Sequence, residues 1–87
     1  MRYSVRFVHK IAPKYSDTGY PVEISDAPQV SPRLDAKARN ALARILRNSL
    51  NLLQGQRLNE VRVYSDGRIV CFPSASIWHS IILIPEK

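Results

Sequence analysis

Hydrophobic and polar residues alternate in two parts of this chain and follow a helical rhythm in a third. Near the start, Tyr3, Val5, Phe7 and Ile11 interleave with Arg2, Ser4, Arg6 and Lys10. That period of two predicts a strand with one buried and one basic face. Val8 and His9 interrupt it, which marks a bulge or burial on both sides. Ala12 to Pro21 is turn-rich, with Pro13, Asp17, Gly19 and Pro21. Val22 and Ile24 then suggest a short second strand, and the flanking prolines suit a sheet edge.

From Ser31 to Gly55 the period changes. Leu34, Ala38, Ala41, Leu42, Ile45, Ser49, Leu52 and Leu53 recur at the i, i+3, i+4 spacing of one face of a long amphipathic helix. Ser31 reads as its N-cap, Pro32 as its first helical residue and Gly55 as a left-handed stop. A helix of ~23 residues would span about 34 Å and overhang a sheet of ordinary strands.

Beyond the helix, Val61 and Val63 alternate with Glu60, Arg62 and Tyr64, and Asp66-Gly67 marks a hairpin. Read as a two-residue loop, it places Val61, Val63, Val70 and Phe72 on one face and Arg62, Tyr64, Ile69 and Cys71 on the other. The last strand, Ile77 to Ile84, is apolar at almost every position except His79 and Ser80. A strand covered on both faces has this character, which places it centrally in the sheet or at a dimer contact. The expectation is a single-domain α+β fold. An antiparallel sheet of four to five strands packs against one long α-helix in the order β-(β)-α-β-β-β. Apolar residues left on the second sheet face (Tyr64, Ile69, Cys71, Trp78 and Ile82) predict a homodimer.

Charge sharpens this picture. Thirteen Lys and Arg oppose seven Asp and Glu, giving +6 over 87 residues, which favours a polyanionic partner. The charge is also segregated. No base lies between Lys14 and Arg33, while Asp17, Glu23 and Asp26 do; no acid lies between Asp35 and Glu60. A solvated helix ordinarily mixes Glu with Lys to gain i, i+4 pairs. Here Arg33, Lys37, Asn40, Arg44, Arg47, Asn48 and Asn51 project opposite the apolar stripe. Arg and Lys hold phosphates, and Asn can bond sugar, phosphate or a base edge. A nucleic-acid interface is therefore expected at Arg33, Lys37, Asn40, Arg44, Arg47 and Asn51, with Arg62 from the sheet, on DNA or RNA. Arg39, on the far flank of the stripe, is expected to matter less. The competing expectation is an acidic protein surface, bound by an inhibitor or assembly subunit of a phage or mobile element.

A sheet face bearing Arg6, Lys10, Arg62, Tyr64 and Trp78 could also stack unpaired bases, although packing is the commoner use of such aromatics. His9 and His79 both lie on predicted strands, and if those strands are neighbours the pair could serve as acid and base of a small ribonuclease or share a metal. No third ligand or paired carboxylate accompanies them, so no metal is expected. Cys71 reads as a buried, inert thiol. Ser74 and Ser76 lack a triad context, and Gly19, Gly55 and Gly67 form no phosphate loop. The expectation is a non-enzymatic binding module without a cofactor. A single cysteine suits a reducing, cytoplasmic setting. The N-terminal segment lacks the apolar core of a signal peptide, and Ile81 to Ile84 is too short to span a bilayer, so no membrane partner is expected.

Overall fold

The computed structural model describes residues 1–9, 15–50, 57–74 and 78–86. Five strands and one helix follow in order: β1 (Arg2–His9), β2 (Tyr15–Glu23), α1 (Ala36–Leu50), β3 (Leu58–Val63), β4 (Ile69–Pro73) and β5 (Trp78–Pro85). The strands form one antiparallel sheet in the order β2-β1-β5-β4-β3, so the fold is α+β as the patterning predicts. The near-continuous apolar strand, β5, lies in the middle. The interruption at Val8 and His9 is a register shift against β5, where His9 stands opposite Trp78. The second strand is longer than its two apolar positions suggest, and it is an edge strand, where Pro21 withholds no ladder hydrogen bond on the open side.

The core lies between one sheet face and the helix. Tyr3, Val5 and Phe7 from β1, Val22 from β2, and Ile81 and Leu83 from β5 meet Leu42, Ala43 and Leu46 of α1, with Val61, Val63, Ile69 and Cys71 completing the layer. Ile69 and Cys71 are fully buried, which corrects the hairpin register expected above. Val63 pairs with Ile69 and Val61 with Cys71, leaving Val70 and Phe72 outside. The cause is the turn. The Gly67 N–H donates to the Tyr64 carbonyl at 2.9 Å and the Tyr64 N–H to the Arg68 carbonyl at 2.9 Å, closing a three-residue loop. A type I turn followed by Gly67 at φ 92° is the usual three-residue solution, and its odd length exchanges the two faces of β4. Asp66 fixes this loop by accepting from the Arg68 N–H at 3.0 Å and from Arg68 Nε at 2.9 Å. A methyl group at Gly67 would meet Pro85 Cγ at 3.0 Å, so conformation and space both select glycine.

The helix also departs from expectation at its start and in its roll. Its N-cap is Asp35, whose Oδ1 accepts from the Ala38 N–H at 2.8 Å. Ser31 instead closes a local turn, accepting from the Arg33 N–H at 3.2 Å and donating to the Arg33 carbonyl at 2.9 Å. It is also bound to the sheet edge: Ser31 N donates to Val63 O at 3.0 Å, Val63 N to Ser31 O at 2.8 Å, and Leu34 N to Val61 O at 2.9 Å. The chain from Ser31 to Leu34 thus runs beside β3 as an edge cover, and α1 turns away from it only at Ala36. Fifteen residues of described helix span about 22 Å; the expected overhang, with Leu52, Leu53 and the Gly55 stop, lies outside the described residues.

The buried stripe is Leu42, Ala43 and Leu46, while Ala41 is exposed and Leu34, Ala38 and Ile45 are half-buried. Against the expected stripe this is a roll of roughly 80°, at ~100° per residue. Leu34, Ala38, Ala41 and Ile45 then line a shallow apolar cleft of about 180 Å³ with Ile24 and Pro28.

Candidate nucleic-acid interface

The roll of the helix creates the site. It brings Ala36, Arg39, Asn40, Arg44 and Arg47 along the flank that faces the start of β3. There they line a groove of about 630 Å³ with Arg57, Leu58 and Asn59. The opposite wall is held by the sheet. Arg57 N donates to Ser74 Oγ at 3.2 Å, and Ser74 N to the Arg57 carbonyl at 2.8 Å, extending the β3–β4 ladder past its last strand pair. Asn59 sits at the register shift between Leu58 and Glu60, so the strand bends where the groove opens. The edge cover ends on the far side, at Val61 and Val63, and leaves this end of β3 clear.

Four arginines and two asparagines therefore converge with no carboxylate among the lining residues. Among the described residues, Arg39, Arg44 and Arg57 make no ion pair. Elsewhere four charge pairs form among the described residues, although Arg6, Arg33 and Lys37 have none. Arg2 pairs with Glu86 at 3.2 Å, Arg62 with Glu60 at 3.1 Å, Arg68 with Asp66 at 2.9 Å, and the N-terminal ammonium with Glu23 at 3.0 Å. Exposed pairs of this kind add little stability, but they neutralise their neighbourhood. The groove brings four arginines together in one place.

Arg39 carries the most specific feature. Its Nε is buried and has no hydrogen-bond partner, the one such side-chain atom among the described residues. A buried donor without an acceptor costs about 1–3 kcal/mol, and an anion drawing the guanidinium towards it would relieve that cost.

The expected interface residues divide accordingly. Asn40, Arg44 and Arg47 stand together in the groove. Arg33 and Lys37 are exposed near the helix start and do not line it. Asn51 lies outside the described residues. Arg62 belongs to the opposite sheet face, where its guanidinium lies 5.4 Å from the Phe72 ring centroid. Hydrogen bonding to Tyr64, then the Glu60 charge, raises its pKa further. Three polar groove residues were missed: Arg39, Arg57 and Asn59. One sequence signal covers them all, because the acid-free stretch between Asp35 and Glu60 contains every lining residue. Arg39, expected to matter less, sits in the groove because the helix is rolled.

The two histidines stand on paired strands, His9 opposite the neighbour of His79. His79 is exposed and sets its ring edge against Phe72, with centroids 5.8 Å apart. Cys71 is fully buried, and desolvation pushes its thiol up to about 12. It is not a nucleophile at neutral pH. No helix among the described residues is long and apolar enough to cross a membrane. Compared with family models, curated proteins and solved structures, the chain matches none of them, so the functional reading rests on its own residues.

Proposed function

We propose that the protein is a non-enzymatic nucleic-acid-binding module that grips the phosphate backbone in the groove between α1 and β3. The observation that carries this reading is the convergence of Arg39, Arg44, Arg47 and Arg57 with Asn40 and Asn59 in one acid-free groove. Guanidinium groups hold phosphate oxygens through paired N–H donors, and asparagine amides add contacts to sugar or base edges. Such a site binds by counterion release and ranks nucleic acids by backbone shape more than by sequence.

The test is a salt titration of a random duplex, a single strand and an RNA, followed by fluorescence anisotropy. Reversing charge at Arg44 and Arg47 should weaken binding of unrelated sequences alike and flatten the salt slope by about two units, one for each phosphate no longer neutralised. Both positions are exposed, so the double variant should stay folded. Arg39→Gln should weaken binding as well, whereas Arg33→Gln, outside the groove, should not. Unchanged nucleic-acid affinity in the folded Arg44/Arg47 variant would reject the reading and turn attention to an acidic protein as the groove's partner.

A further inference from the structure

The sheet face away from the helix has a different character from the groove. Its cross-strand rows run Arg6–Ile82–Val70–Arg62 and Ser4–Ile84, with Val8 and Phe72 beside them. Val8, Val70, Phe72, Ile82 and Ile84 are each only half-buried. Around this apolar centre the rim carries both signs of charge in pairs, Arg2 with Glu86, Arg62 with Glu60, and the N-terminal ammonium with Glu23, while Arg6 has no ion pair among the described residues. We propose that this face is the self-association surface of the protein, and that its occupant is the same face of a second copy.

Three observations select that occupant. First, a chain of +6 would ordinarily repel its own kind, yet on this face three of the four described cations are paired with carboxylates and Arg6 alone is without an ion pair, so both signs are present for a two-fold interface to match. Second, the size suffices. Five strands about 4.8 Å apart and about seven residues long present about 550 Å² per copy, or about 1,100 Å² in a pair, above the roughly 1,000 Å² expected of a specific interface. Third, the face is poorly suited to nucleic acid. Arg62 covers the Phe72 ring at 5.4 Å and His79 abuts it at 5.8 Å, so the aromatic is not an open stacking platform. Two sheets packed this way would form a sandwich with the helices, and both basic grooves, on its outer sides. The inference does not depend on what the grooves bind.

Multi-angle light scattering at tens of micromolar should give twice the 9.9 kDa of one chain. Ile82→Glu should return the single-chain mass while keeping the circular dichroism spectrum. Arg62→Glu, at an exposed position with little bearing on folding, should weaken the dimer at least tenfold by placing a second carboxylate beside Glu60, and it decides the matter should Ile82→Glu unfold. Ala41→Glu, on the exposed flank of the helix, should leave the dimer intact. A wild-type protein that stays at 9.9 kDa throughout, or a folded Ile82→Glu or Arg62→Glu that dimerises as tightly as wild type, overturns the proposal. A monomer whose binding to single-stranded RNA drops with Phe72→Ala would give the face to nucleic acid instead.

Discussion

At the scale of single residues, burial decides chemistry. Cys71 has no exposed surface, and its thiol is pushed from 9.0 to about 12 by loss of solvation. An acid whose pKa is raised in the folded state stays protonated there while the unfolded chain releases its proton. The folded state then binds more protons, and stability falls as pH rises. The contribution is fully present below pH 9.0 and lost between 9.0 and about 12, at up to about 1.4 kcal/mol per pH unit. Urea unfolding at successive alkaline pH values should show that decline. Cys71→Val, close in volume, should remove most of it; an equal slope in the variant would assign the alkaline loss to tyrosines such as Tyr3, whose hydroxyl burial also raises. Native protein should likewise resist thiol alkylation.

Secondary-structure elements were legible where one periodicity had no rival. The alternation of β1, the apolar run of β5 and the existence of α1 all followed from spacing. What spacing could not decide was orientation. Both faces of β4 are apolar, Ile69 and Cys71 on one and Val70 and Phe72 on the other, so either register buries hydrophobic surface. Asp66-Gly67 suits a two-residue or a three-residue loop, since each needs positive φ at the glycine. The helix posed the same problem. Leu34, Ala38, Ala41, Leu42 and Ile45 make a clean stripe, but Leu42 also belongs with Ala43 and Leu46 to another beside it. The segment beside β3 chooses between them by fixing where α1 begins. The roll has a direct check. Leu46→Ala, at a fully buried site, should cost about 2–5 kcal/mol. Ala41→Glu should change stability by no more than about 0.5 kcal/mol. Unfolding by Ala41→Glu in a chemical denaturation series would restore the unrolled helix.

Over the whole molecule, charge is sorted by side. Most charges on the outer sheet face and the hairpin tip are paired with the opposite sign, while Arg39, Arg44 and Arg57 in the groove form no ion pair among the described residues. The acid-free stretch hinted at this sorting, but Arg57 and Asn59 meet Arg39 and Arg44 only through the tertiary fold. Arginines gathered this way repel one another, so a multivalent anion that binds the native groove should stabilise the fold by linkage. Tripolyphosphate at ten times its dissociation constant should add about 1.4 kcal/mol, or roughly 5–10 °C in Tm for a domain of this size. Differential scanning fluorimetry should show the rise in wild type and little of it in the Arg44/Arg47 charge-reversed variant. Equal rises in both would remove the groove as the anion site.

The segment from Ser31 to Leu34 also governs what happens to the sheet as a template. A flat sheet with two open edges can add strands from other molecules without end, which is the geometry of fibres. Here the β3 edge already spends Val61 O and both polar groups of Val63 on its own chain. Growth by strand addition is left to β2 and the Leu58 end of β3, and two molecules joined at β2 in antiparallel fashion would each present an edge outward that is covered at Val61 and Val63. A few residues of irregular chain would thus hinder recruitment beyond a pair.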